Sequence, residues 1–183
     1  MKSFLNLIQS RRSCRSFTEQ KIPHEKVTTI LKAGLWAPSS KNNRPWEFIV
    51  VEERDTLHQL SKCKPHGASF LSGAPLCIVV LGDPQKSDVW VEDCSIATIL
   101  MQLTAEDIGL GSTWIQVNQR MNDHEISAAD YIRQIMNIPD HLQVLALLAI
   151  GYKVRERQPY SDEELLWERI HPEHFGTNFN PLG

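Results

Sequence analysis

No part of this chain constrains its fold more than the run from Asp88 to Gly111. Wound as a helix, it spreads Trp90, Ile96, Ala97, Ile99, Leu100, Met101, Leu103, Thr104, Ala105 and Ile108 around the whole circumference. Glu92, Asp93, Gln102, Glu106 and Asp107 remain as its main polar positions. A helix apolar on all sides is mostly buried, and at roughly 1.5 Å per residue the span 89–108 is ~30 Å long, about the diameter of a small domain. Acidic side chains interrupt it too often for a membrane span. Apolar runs at 76–81 and 112–117 flank it and read as strands. Gly109-Leu110-Gly111 follows a helix and lacks the third glycine of a dinucleotide-binding turn, so it reads as a helix C-cap.

A chain of 183 residues with 42% hydrophobic residues buries one full core, which predicts a single domain over 1–183. Its formal net charge of -3 excludes a general attraction to nucleic acid or to an acidic membrane. The first six residues lack the apolar core and cleavage site of a secretory signal, and no apolar run reaches ~18 residues, so the cytoplasm is expected. Cys14, Cys63, Cys77 and Cys94 form no Cys-x-x-Cys spacing and are expected to be free thiols. Cys14 lies between arginines that could activate it, yet reads better as a small filler. His171-Pro172-Glu173-His174 offers two imidazoles without a further ligand, so no metal site is assigned.

In chain order, Ser3 caps a first helix bearing Phe4, Leu7, Ile8 and Arg11 at helical spacing. At its end Arg11-Arg12-Ser13-Cys14-Arg15 places three arginines within five residues. These cations either neutralise the negative end of the helix or clamp an anion, since guanidinium forks beside a hydroxyl match phosphate oxygens. Pro23 opens a second helix that ends near Ala37, ahead of Pro38. Residues 38–45 then offer hydroxyls, amides and two cations without an apolar anchor, a loop suited to a ligand edge or to an ordinary turn. A strand is expected over 46–51 and a short helix over 55–63. Residues 68–73 read as a loop or single turn. Asn122 or Asp123 is expected to cap a helix carrying Ala128, Tyr131, Ile132 and Ile135, and 145–150 reads as a strand. From Lys153 onward the composition turns polar, punctuated by Trp167, Phe175 and Phe179. A segment with so little core of its own is expected to pack on another surface, such as a second subunit.

Five stretches, in the same order, resemble the nitroreductase family of FMN-dependent oxidoreductases. Arg11-Arg12-Ser13-Cys14-Arg15-Ser16-Phe17 is similar to the family's flavin-phosphate grip. Residues 37–46, Ala-Pro-Ser-Ser-Lys-Asn-Asn-Arg-Pro-Trp, resemble its flavin-ring loop. Trp90-Val91-Glu92-Asp93-Cys94-Ser95 looks like the start of its central dimer helix. Gly109-Leu110-Gly111-Ser112-Thr113-Trp114-Ile115 resembles the strand that runs to the flavin N5 edge. Ile150-Gly151-Tyr152 precedes a basic segment where the family supplies another phosphate contact. The chain departs from the pattern in having Arg44 where Gln is usual and Gln116 where Gly is frequent.

The resemblance implies an α+β, nitroreductase-like FMN-binding fold. In it a central mixed β-sheet is packed by helices around a long buried helix, in a homodimer whose two sites draw on both subunits. The tail, about 153–183, would pack on the partner. By position, the FMN-binding residues would be Arg11, Arg12, Ser13 and Arg15; Pro38, Ser39, Ser40, Asn42 and Arg44; Trp114, Ile115 and Gln116; and Arg155 or Arg157. The implied activity passes a hydride from NADH or NADPH through flavin N5 to a nitroaromatic, quinone or similar acceptor in two steps. No side chain is obligatory as acid or base, so no catalytic residue is assigned. A flavin-binding protein used for storage or sensing, without turnover, is the alternative.

Overall fold

The computed structural model describes residues 3–123 and 125–181. Residues 182 and 183 of the expected tail lie outside them. The elements run α1 (Phe4–Ser10), α2 (His24–Leu35), β1 (Trp46–Val51), α3 (Arg54–Leu60), β2 (Leu76–Gly82), α4 (Trp90–Asp107), β3 (Gly111–Gln116), α5 (Ala128–Met136) and β4 (Gln143–Gly151). Single 3-10 turns lie at Ser40–Asn42, Ser69–Gly73, Asp162–Glu164 and Trp167–Arg169.

The strands form one sheet in the order β1-β2-β4-β3, antiparallel at every step. Among the described residues a parallel pairing enters only where Ser13 bridges Ser112 at the start of β3. β2 is buried on both faces and β4 nearly so, which explains their continuous apolar sequences. Cys77, Val79, Leu81, Leu147 and Ala149 face a core with α3 and α5. Leu76, Ile78, Val80, Leu148 and Ile150 face a second core with α2 and α4. The helices thus cover both sides of an antiparallel sheet, and alternation of polar and apolar residues disappears from its centre.

α4 ends as expected. Leu110 N–H donates to Ala105 O at 2.8 Å and Gly109 N–H to Glu106 O at 3.1 Å, with Gly109 at φ +79. This pairing satisfies the last carbonyls and requires the left-handed conformation that glycine adopts at no cost. α2 reaches α4 through Gly34, where an added Cβ would lie 2.9 Å from the Met101 sulfur.

Burial of α4 is one-sided, contrary to the sequence expectation. Cys94, Ala97, Thr98, Met101 and Ala105 are enclosed by the sheet and α2, but Ile96 is 39% and Ile99 40% exposed, with Leu100 and Leu103 half-buried beside them. A sheet and one helix can cover only one side of a cylinder. The open side continues into a groove of about 500 Å³ between Phe4 and Leu7 of α1, Ala33 of α2, and Trp36.

A second correction concerns α5. Ser127 caps it, accepting from Asp130 N–H at 2.9 Å, so the helix starts later than Asn122 or Asp123 would place it. Asn122 is otherwise engaged: its buried amide donates to Lys62 O at 3.0 Å and Cys63 O at 3.2 Å. The tail from Val154 is exposed almost throughout, with Trp167 and Phe179 stacked on each other at 5.8 Å. Among the described residues no helix is long and apolar enough to cross a membrane.

Candidate functional site

Beyond α1 the arginine segment joins the sheet instead of remaining a helix end. Cys14 N–H donates to Ser112 O at 3.0 Å, and the Thr113 hydroxyl donates to Cys14 O. Phe17 then bridges Lys153, while Thr18 N–H reaches Tyr152 O at 2.9 Å and Val154 N–H reaches Ser16 O at 3.2 Å. Residues 13–18 are therefore threaded between the start of β3 and the chain leaving β4. Close approach here requires Gly111, since a Cβ at that position would stand 2.7 Å from both Cys14 and Lys153 side chains.

The result is an open concavity of about 200 Å³ with Arg12, Ser13 and Arg15 on one wall and Lys153, Arg155 and Arg157 on the other. Ser10, Cys14, Ser16 and Glu156 complete the lining. Five cations and three hydroxyls converge on one space with a single carboxylate, a donor set that fits a phosphate dianion. Their freedom differs. The Arg12 guanidinium donates to Gln158 O at 2.7 Å and lies 4.2 Å from the Tyr160 ring centroid, so part of its capacity ties the tail to the segment. Arg15 sits 5.9 Å over Phe70. Arg11 does not line the concavity.

Lys153 was missed by the sequence reading, which looked only to Arg155 and Arg157. Its ammonium pairs with Glu106, near the end of α4, at 2.6 Å and with Glu156 at 3.0 Å. Burial by itself would lower the Lys153 pKa, but the hydrogen bonds and charges of these two carboxylates outweigh it and hold the ammonium above its ordinary value. The signals in the sequence were the place of Lys153 at the head of the basic segment 153–157 and an acid, Glu106, on the last turn of α4. For Cys14, burial pushes the thiol up despite the nearby Lys153 charge, which suits a filler better than a nucleophile.

Loop 38–44 is built separately. Asp93, 3% exposed in the first turn of α4, accepts Ser40 N–H on one oxygen and the Ser87 hydroxyl on the other, both at 2.8 Å. Ser39 accepts Arg44 N–H at 2.9 Å, and Arg44 Nε donates to Asn42 Oδ1 at 2.9 Å. Lys41, Asn42 and Arg44 all have φ between 47 and 60. Such a conformation costs side-chain-bearing residues about 1 to 2 kcal/mol each, and the Asp93 and Ser39 contacts help to impose it. Pro38 joins this loop to α2.

β3 is an edge strand. Trp114 donates from Nε1 to Gln116 Oε1 at 2.9 Å, and Gln116 Nε2 donates to Asn118 O at 2.9 Å. Ile115 points the other way, 1% exposed in the core, which leaves its backbone as its only means of meeting a ligand. The expected residues thus fall into groups that one chain does not bring together. The loop is anchored at Asp93 and the arginine concavity at Glu106, thirteen residues along the same helix and therefore about 20 Å apart.

A sequence comparison gives this divided arrangement its context: the model of the nitroreductase family matches residues 8–65 and 56–152, including the arginine segment, the loop, α4 and all four strands. The chain belongs to the nitroreductase family. Among its relatives, a protein of Archaeoglobus fulgidus provisionally named NADH dehydrogenase/NAD(P)H nitroreductase is 36% identical, over 94% of this chain and 99% of that one. The solved structure of an FMN-dependent nitroreductase from Clostridium difficile is 43% identical and superposes with a TM-score of 0.92, covering 94% of this chain and 100% of that one. More distantly, rat iodotyrosine deiodinase 1 is 34% identical over 84% of this chain and 63% of its own length.

Proposed function

We propose that this nitroreductase-family chain works as a homodimer that uses FMN to pass reducing equivalents from NADH or NADPH to a nitroaromatic, quinone or similar small acceptor. The observation that carries the reading is the split between the cationic concavity and loop 38–44, set about 20 Å apart along α4 beside an uncovered apolar face. A two-fold axis through that face and perpendicular to α4 would run the two α4 helices antiparallel. The Asp93 end of one then lies toward the Glu106 end of the other, and each concavity gains the loop of the second copy. The exposed aromatic tail, 154–181, would also find its cover there.

In this reading Ser13, Arg15 and Arg155 or Arg157 hold the FMN phosphate, with Arg12 orienting the tail and Lys153 adding charge behind it. Arg11, outside the concavity, contributes through its field at most. The outer edge of β3 from Trp114 to Gln116, with Ile115 through its backbone, lies along the flavin. From the second copy, Ser39, Ser40, Asn42 and Arg44 offer hydrogen bonds to the ring edge, and Pro38 fixes the start of the loop. A cation such as Arg44 near the N1/O2 edge favours negative charge there. Bound FMN would supply hydride transfer at N5, from the nicotinamide and then to the acceptor. No side chain is assigned a proton-transfer role. The four cysteines are free, as a reducing cytoplasm would keep them.

The test starts with the purified protein, whose heat-released chromophore is identified and whose sedimentation is measured at micromolar concentration. A yellow dimer with about one FMN per chain is expected, bleached by NADH or NADPH and rapidly restored by a nitroaromatic or quinone. A colourless protein that does not take up FMN overturns the reading. Slow restoration by every acceptor would favour storage or sensing, and iodide release from an iodinated phenol would redirect the acceptor class.

A further inference from the structure

At the opposite end of β3 from the arginine concavity, a second group of cations has no carboxylate partner among the described residues. Lys64 Nζ donates to Gln116 O at 2.8 Å, which uses one of its three protons. Arg120 stands on the turn just beyond the strand, fixed by its own N–H to Val117 O at 3.0 Å and by Ala128 N–H to its carbonyl at 2.8 Å. Its guanidinium contact is to Gln119 O at 3.2 Å. Lys62 is exposed on the same segment as Lys64. The two cation-bearing segments are locked together by Asn122, 6% exposed, whose amide bonds the carbonyls of Lys62 and Cys63.

None of Lys62, Lys64 and Arg120 makes an ion pair with a described residue, although Asp123 and Glu125 lie on the same turn. The Lys64 ammonium is held below its ordinary value mainly by burial, opposed by neighbouring Cys63 and reinforced by a smaller contribution from the Arg120 charge. Folding therefore brings like charges together and fixes their backbones without neutralising them. Free surface lysines avoid one another, whereas an anion arriving from solvent would relieve this repulsion. The group is also distinct from the arginine concavity, because Ser112 and Gln116 are about 14 Å apart along the strand.

We propose that Lys62, Lys64 and Arg120, clamped around Gln116 by Asn122, form an anion subsite that selects aromatic acceptors bearing a carboxylate or sulfonate. The proposal rests on the reading above, in which the flavin ring lies at the Gln116 end of β3. Lys64, half-buried against the strand, sets the position of the anionic group, while Lys62 and Arg120 draw it in from solvent. An uncharged acceptor of the same shape gains nothing from the three cations.

The experiment uses the FMN-loaded protein with 4-nitrobenzoate and 4-nitrobenzamide at one fixed NADH concentration. The ratio of their kcat/KM values should favour the anion by roughly 3- to 10-fold at low ionic strength, and the preference should shrink as salt screens it. The exposed charge reversal Lys62→Glu should remove the preference through KM while leaving the amide unchanged, whereas Lys64→Gln, which also releases the Gln116 carbonyl, should remove the preference while lowering kcat/KM for both probes. Equilibrium binding of benzenesulfonate against benzenesulfonamide, followed by perturbation of the flavin spectrum, should show the same selectivity without turnover. Equal rates for the two probes in the parent, or equal losses for both in the variants, would overturn the subsite while leaving the flavin reading intact. A protein that takes up no FMN would overturn both.

Discussion

Asp93 is the side chain on which loop 38–44 depends, and Asp93→Ala measures that dependence. The substitution leaves the Ser40 N–H and the Ser87 hydroxyl without their acceptors. A buried group deprived of its partner costs about 1 to 3 kcal/mol. Ser40 is only half-buried and can recruit water, and the Ser87 hydroxyl can rotate, so the lower part of the range applies to each. Removing a carboxylate from the first turn of α4 adds about 0.3 to 1 kcal/mol. The expected loss is about 3 kcal/mol, or roughly 6 to 12 °C in Tm for a domain of this size. Asp93→Asn retains an acceptor for Ser40 and should lose only about 1 kcal/mol. The measurement is urea unfolding at one fixed protein concentration without added flavin, paired with amide exchange at Ser40, which should accelerate in the Ala variant alone. FMN affinity should fall in the same order if the loop meets the ring. A loss below about 0.5 kcal/mol for Asp93→Ala, or equal losses for Ala and Asn, would refute the assignment of Asp93 as the anchor.

The arginines separate by ligand. Arg15→Ala should weaken FMN by roughly 10- to 150-fold and riboflavin hardly at all, since only FMN carries the phosphate. Arg12→Ala, which also breaks the contacts with Gln158 and Tyr160, should weaken both flavins by similar factors and raise protease sensitivity in the tail. Fluorescence titrations of both variants decide this, and equal losses for the two flavins in Arg15→Ala would return that residue to a structural role. Lys153 gives an alkaline signature. Its pKa is raised in the folded protein, so the stability it contributes is fully present below its ordinary value of 10.5 and is lost as pH rises through the folded value. Glu106→Gln should cost about 1.5 to 3 kcal/mol at pH 8 and flatten that alkaline decline; an unchanged decline in denaturant midpoints would exclude the pair as its source.

Much of the fold was legible in the sequence because its signals are local. Ser3 caps α1 through its hydroxyl, Pro23 opens α2 through its fixed φ, and Gly109 ends α4 by adopting a positive φ. β2 and β4 are almost continuous apolar runs, and the arginine, loop and β3 motifs could be read as a family pattern. What the sequence could not show was competition for the same side chain. Asn122 had the right chemistry for a helix cap, but the backbone of Lys62 and Cys63, distant in sequence, claimed its amide and left Ser127 to cap α5. Lys153 gained its place in the concavity only when β4 ended beside α4 and Glu106. The all-round apolar character of α4 marked the helix itself, but how much of it is covered within one chain was decided by which neighbours reached it. Sequence alone determined the elements and the chemical groups available, since both follow from residues a few positions apart. Tertiary structure decided that the arginines and the loop stand at opposite ends of one helix, because that separation depends on how the sheet and helices pack.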